Sequence, residues 1–261
     1  LRVRRTVAPI DFTEIRGEDI RFLADTHFRS SRVEAEAPRR RRFIAFLDSL
    51  PAGAVVFLLG DIFDFYFEYR RVVSNRYLDV FSAIERSTSR GVEVHFLGGN
   101  HDFWVGRFAE RELGIHVHRD EILLSAQGRR LVCAHGDLVM PRDFGYKLLK
   151  SIIRNPVVVE VSRWIHPDIL DAIASGVSHG SRRIQNGRQE ERARKMAEYA
   201  HGHFFERGND VFIMGHVHHP LLDVRDGREF LILGDWIRDF TYGRLSEGKL
   251  SLESFKDPST D

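Results

Sequence analysis

Five short apolar runs in this 261-residue chain each break off into a small polar block, and that repetition narrows what the chain can fold into. "IRFL" leads to Asp25 and His27, and "AVVFLL" leads to Gly60 and Asp61. "VEVHFL" leads to Gly98, Gly99, Asn100 and His101, "RLVCA" to His135, Gly136 and Asp137, and "DVFIM" to Gly215, His216 and His218. Short runs rich in β-branched and aromatic side chains and bounded by turn formers are the pattern of buried strands. Helical spacing fits between the first three. Phe43, Ile44, Phe46 and Leu47 share a face within 39–50, and Tyr77, Leu78, Phe81 and Ile84 share one within 74–90. Such alternation predicts a layered α/β domain. After His218 the texture changes to two hairpins, turning at Asp226-Gly227 and Glu247-Gly248, so the C-terminal part is predicted antiparallel.

With 43% hydrophobic and 30% charged residues the chain has the composition of a globular protein, and one domain spanning 1–261 is expected. A net charge of +1 gives no global field for nucleic acid, and none is expected as a partner. Charge is uneven, however. The block Arg39 to Arg42 reads either as a solvated helix face or as a contact for phosphate or an anionic membrane. Cys133 is the only cysteine, which excludes an internal disulfide and a cysteine-rich zinc site. No apolar run reaches the roughly 18 residues of a membrane span, and the start lacks the apolar core of a signal peptide. A cytoplasmic protein is expected, with peripheral contact at the inner membrane as a further option. The segment 141–206 is helical in pattern, apolar in its first half and interrupted by Pro156 and Pro167. It falls between two polar strand ends, so it must lie over or beside whatever they form.

Ligands in α/β sheets bind at the carboxyl ends of the strands. Gathered there are Asp25, His27, Asp61, Asn100, His101, His135, His216 and His218: carboxylates, imidazoles and an amide, with no thiolate. That donor mixture suits Mn²⁺, Fe²⁺ or Zn²⁺ better than Ca²⁺. Asp25-Thr26-His27 and His216-Val217-His218 place two ligands two residues apart, on one side of an extended chain. Seven ligands, Asp25, His27, Asp61, Asn100, His135, His216 and His218, are too many for one such ion. They suit two ions sharing a carboxylate, for which Asp61 is the natural choice, and a pair about 4 Å apart clamps an in-line displacement at phosphorus. The other paired histidines, His116 with His118 and His201 with His203, lack this setting, and together with His95 they are expected to be structural or solvated.

The ordered blocks "DTH", "GDIFD", "GNHD", "HGD" and "GHVH" resemble the calcineurin-like metallophosphoesterase superfamily from Ile20 to about Trp236. The resemblance implies a two-sheet α/β/β/α sandwich with a helical lid insertion at about 141–206. It implies that Asp25, His27, Asp61 and His218 hold one metal and Asp61, Asn100, His135 and His216 the other, both most readily Mn²⁺. His101 would protonate the leaving oxygen, oriented by Asp102, after a metal-bridging hydroxide attacks phosphorus. Within the superfamily, "AHGDLVMPRDFGY", "SHGSRR" and "LGDW" look most like the pyrophosphohydrolases that cleave UDP-2,3-diacylglucosamine in lipid A synthesis. That likeness implies substrate contacts at Asn100, Asp143, Tyr146, Ser178 and Arg182, and a lid that receives acyl chains. Two stretches differ from that group: "GNHD" stands where it has "GNRD", and "IFDFYFEYR" replaces an acidic, tryptophan-containing block. A phosphodiesterase or phosphatase with a soluble substrate is therefore the alternative. A non-catalytic scaffold is disfavoured because no ligand is missing.

Overall fold

The computed structural model describes residues 11–30, 36–137, 152–172 and 189–256. The five apolar runs are strands: β2 (Asp19–Leu23), β3 (Val55–Leu58), β4 (Glu93–Leu97), β7 (Arg129–Ala134) and β8 (Val211–Met214). The two helical stretches are α1 (Ala37–Asp48) and α2 (Leu78–Ser89). Three further strands complete the first half, β1 (Thr13–Glu14), β5 (His116–His118) and β6 (Ile122–Ala126), with α3 (Arg107–Glu112) before β5; the C-terminal hairpins are β9 (Leu221–Arg225) with β10 (Arg228–Ile232), and β11 (Thr241–Ser246) with β12 (Lys249–Ser254). Between β7 and β8 lie α4 (Pro156–Ser162) and α5 (Gln189–His203).

The strands form two six-stranded sheets, ordered β12-β11-β2-β3-β4-β5 and β1-β6-β7-β8-β10-β9. Side-chain alternation divides every central strand between two cores. Ile20, Phe22, Val55 and Phe57 meet Leu131, Cys133, Val211, Ile213 and Leu231 in the core between the sheets. Val56 and Leu58 turn the other way, onto Phe43, Phe46 and Leu47 of α1 and Val80 and Ile84 of α2. Val132, Phe212, Met214, Phe230 and Ile232 turn onto Ala193, Met196, Ala197 and Ala200 of α5. Three cores between four layers make the α/β/β/α sandwich, and burial on both faces is why the runs are continuously apolar rather than alternating.

Both hairpins turn where expected, with Asp226 and Gly227 at φ of 51° and 75° and Glu247 and Gly248 at 53° and 73°. The C-terminal part is only partly antiparallel. The inner strand β10 pairs parallel with β8, whereas β11 pairs antiparallel with β2 on the opposite sheet. One hairpin therefore extends each sheet.

The basic block and the 141–206 segment each divide within the fold. The block Arg39–Arg42 is mostly internal: Arg40 is buried against Glu36 and Asp79, and Arg42 lies 4.0 Å over the Phe240 ring. Arg39, Arg40 and Arg42 thus have partners within the fold, while Arg41 is exposed. In the 141–206 segment, α5 is a core-covering helix. By contrast α4 buries no residue, and Val157, Val161 and Trp164 are 69%, 60% and 84% exposed.

His95, His116 and His118 form a separate group at the β4–β5 edge. His95 Nδ1 lies 2.9 Å from His118 Nε2, its Nε2 lies 2.8 Å from Glu93, and its ring stacks on Phe57 and His116. Burial pulls its pKa down to about 4. The unfolded chain then takes up a proton near pH 6.5 that the folded chain refuses until about pH 4, so acidification across that interval costs stability. The urea midpoint should fall from pH 6.5 to 4 and fall less in His95→Gln; equal slopes in the two proteins would refute this.

Candidate metal centre

The loops leaving the strands stay paired beyond the sheet. Asp25 N–H donates to Gly60 O at 3.1 Å, His27 N–H to Asp61 O at 2.9 Å, and Gly215 N–H to His135 O at 3.0 Å. Gly60, at φ +88°, has no room for a side chain: a Cβ there would stand 2.6 Å from the Gly99 backbone and 2.7 Å from His135 Nδ1. Four of the seven expected ligands also hold the left-handed backbone region, Asp25 at φ 57°, His27 at 46°, Asp61 at 54° and His216 at 66°. For non-glycine residues that conformation costs on the order of 1 kcal/mol each and concentrates at functional sites.

All seven side chains converge in two neighbouring groups. Asp25, His27 and His218 offer donor atoms within 4.8 Å of one another, as do Asp61, His135 and His216. His27 Nε2 faces His218 Nε2 at 3.2 Å, with Asp25 Oδ1 at 3.6 Å from the first and 3.5 Å from the second. In the other group His135 Nε2 lies 3.3 Å from Asp61 Oδ2 and 3.0 Å from Asn100 Oδ1. Asp61 Oδ2 is also 3.8 Å from His27 Nε2, so this one oxygen stands between the groups.

The donors fit cations. Ligand atoms about 2 Å from a shared ion stand roughly 3–3.5 Å apart. Asp25 Oδ1 is buried with no hydrogen-bond partner among the described residues. Burial alone would raise the Asp25 and Asp61 pKa values; the histidines around them outweigh it and hold both carboxyls well below the usual range. Burial disfavours a charged His135, yet Asp61 beside it pushes the imidazole up to about 10, while burial takes His216 down to about 3. Ionised carboxylates kept dry among imidazoles call for positive charge, and divalent ions supply it.

Outer partners fix the rings. His135 Nδ1–H donates to Leu59 O at 2.9 Å; His27 Nδ1 faces Asp64 at 3.7 Å and His218 Nδ1 faces Asp235 at 3.8 Å. The His135 hydrogen bond turns that ring's Nε2 inward, whereas His27 and His218 face their carboxylates beyond hydrogen-bond range. Asp64 belongs to "GDIFD" and Asp235 to "LGDW", blocks noted for likeness without a role for these carboxylates. Arg39 has the least visible role in sequence: it donates from Nη1 to Thr26 O and from Nη2 to His27 O at 3.4 Å, and Glu36 holds it at 2.7 Å. Arg39→Ala should weaken metal affinity by roughly 10–100-fold, the usual effect of an outer-shell partner. A metal titration followed by calorimetry checks this, and unchanged affinity would count against the brace.

Asp102 corrects an expectation. Its carboxylate accepts from the backbone N–H groups of Asp61, Ile62, Phe63 and Gly99 at 2.7–3.1 Å, rather than from the His101 ring. Burial and Asp61 push it up to about 6, against those donors. His101 is oriented by Asp64 O, 2.9 Å from Nδ1, which leaves Nε2 toward the site, 3.9 Å from Asp61 Oδ2. Burial lowers its pKa. Of the expected substrate contacts, Asn100 is in the centre, while Asp143, Tyr146, Ser178 and Arg182 lie outside the described residues. His116 and His203 are exposed, as expected, but His201 is largely covered and stacks on Phe205.

The sequence profile described as calcineurin-like phosphoesterase matches residues 19–220. A Porphyromonas gingivalis protein named UDP-2,3-diacylglucosamine hydrolase is 31% identical, over 91% of this chain and 98% of its own. One of the same name from Aeromonas salmonicida is 26% identical over 91% and 94%. A solved archaeal phosphodiesterase covers 91% of this chain and 99% of its own at 13% identity, with a TM-score of 0.42. The profile spans every strand end that carries a ligand up to His218, so the chain belongs to the calcineurin-like phosphoesterase family and is a metal-dependent phosphoester hydrolase.

Proposed function

We propose that the protein hydrolyses the pyrophosphate bond of UDP-2,3-diacylglucosamine or a close nucleotide-linked lipid, with two Mn²⁺ ions as cofactor. The observation that carries this reading is near full-length similarity to relatives named for that substrate. A cavity of about 940 Å³ lies beyond the metal ligands, lined in part by Phe103 and Trp104, which follow His101 and Asp102 in the chain, and by Val159 of α4. Asp25, His27, Asp61 and His218 would hold one ion, and Asp61, Asn100, His135 and His216 the other. Such a pair, when bound, polarises phosphoryl oxygens and supplies a nucleophile near neutral pH. With Nδ1–H held by Asp64 O, His101 would act as the acid in its imidazolium form, giving the Nε2 proton to the leaving oxygen, and Asp102 would hold the loops of Asp61 and Gly99 together. Asp143, Tyr146, Ser178 and Arg182 are proposed substrate contacts.

No helix among the described residues is long and apolar enough to cross a membrane. Work at the inner membrane from the cytoplasmic side would use the exposed Val157, Val161 and Trp164 face rather than Arg39–Arg42. One observation favours the second reading, a soluble substrate: Arg70, Arg107, Arg111, Arg119, Arg154 and Arg163 also border the cavity. The test is to incubate Mn²⁺-loaded protein separately with a UDP-linked diacyl sugar, a nucleotide diester and an aryl monoester. Faster cleavage of the lipid substrate is expected, and preference for either water-soluble ester would retire the lipid assignment.

A further inference from the structure

We infer that Arg192 is a substrate-binding residue, whose guanidinium takes a phosphoryl oxygen once the metal centre is filled. This rests on the two-metal reading above and adds a contact that the strand-end motifs do not contain. Arg192 stands in the first turn of α5, and the residues following it, Ala193, Met196, Ala197 and Ala200, are buried against sheet residues Val132, Phe212, Phe230 and Ile232. Its backbone is thus set by a packed core. Its half-buried side chain reaches the centre, where Nη2 lies 3.4 Å from His216 Nε2. Among the described residues no carboxylate pairs with it.

That contact cannot persist beside a bound ion. A neutral imidazole has one N–H and one lone pair. A metal on either ring nitrogen uses the lone pair and leaves the proton on the other, so neither nitrogen can still accept from Arg192. Guanidinium has donors only. Filling the centre therefore frees a fixed cation at its edge, and the acceptor that arrives with catalysis is the phosphoryl group. Arg matches phosphate oxygens in charge and in its planar fork of donors.

The experiment uses the full chain as wild type, Arg192→Ala and Arg192→Lys, loaded with Mn²⁺. Metal content is measured by elemental analysis, inorganic phosphate binding by calorimetry and turnover with an aryl phosphodiester. Arg192→Ala should keep its metal, bind phosphate about 10- to 100-fold more weakly and lose kcat/KM by a similar factor, as for a lost charged hydrogen bond. Arg192→Lys should recover part of the affinity. Undiminished phosphate affinity in Arg192→Ala, or loss of metal from it, would overturn the assignment. A wild-type protein that takes up no metal would instead overturn the metal-centre reading beneath it.

Discussion

Asp61→Ala should hold neither ion at full occupancy and should lose roughly 10³-fold or more in turnover, since several kcal/mol of charge stabilisation go with the metals. The expectation follows from position. Asp61 Oδ2 is 3.3 Å from His135 Nε2 and 3.8 Å from His27 Nε2, so one oxygen serves both groups. The carboxylate also accepts the His101 backbone N–H at 2.9 Å through Oδ1 and so ties down the loop bearing Asn100. Elemental analysis beside a turnover assay is the check. An Asp61→Ala protein with two ions per chain would remove the shared-carboxylate argument, whatever its activity.

His101→Ala should behave in the opposite way. Its ring is T-stacked on His27 at 5.1 Å but its Nδ1 is taken by Asp64 O, and neither contact fixes a metal donor. Metal content should stay at the wild-type level while turnover falls by about 10²–10⁴-fold, the span of a lost proton transfer. The loss should be largest on substrates with poor leaving groups and smallest on activated aryl esters, which leave without a proton. A variant that loses metal together with activity would make His101 a scaffold residue.

The strands and the seven convergent ligands were legible because period and chemistry coincide: each run is too apolar to be anywhere but inside, and each ends in residues too polar to follow it. The hairpin turns were legible from Asp226-Gly227 and Glu247-Gly248, yet the sheet that each hairpin joins was not, because a turn fixes the pairing within its own hairpin and not the distant strand, β8 or β2, on which its other edge docks. Arg39 and Arg40 were misread for a related reason. A run of arginines looks solvated until Glu36 at the start of the same helix, and Asp79 and the carbonyls of Thr26 and His27 from elsewhere in the chain, are placed against it. Arg192 gave no signal at all within "RQEERARK", where charge is the rule. The role expected of Asp102 failed because a neighbour in sequence need not be a neighbour in hydrogen bonding: its oxygens face back toward four N–H groups.

The donors come from both halves of the sandwich. Asp25, His27, Asp61 and Asn100 follow strands of one sheet, and His135, His216 and His218 follow strands of the other. Ions held there act as rivets across the seam as well as reagents, and their binding free energy adds to the cohesion of the two layers. A chelator thus reaches past the chemistry: it loosens the join on which the whole architecture closes.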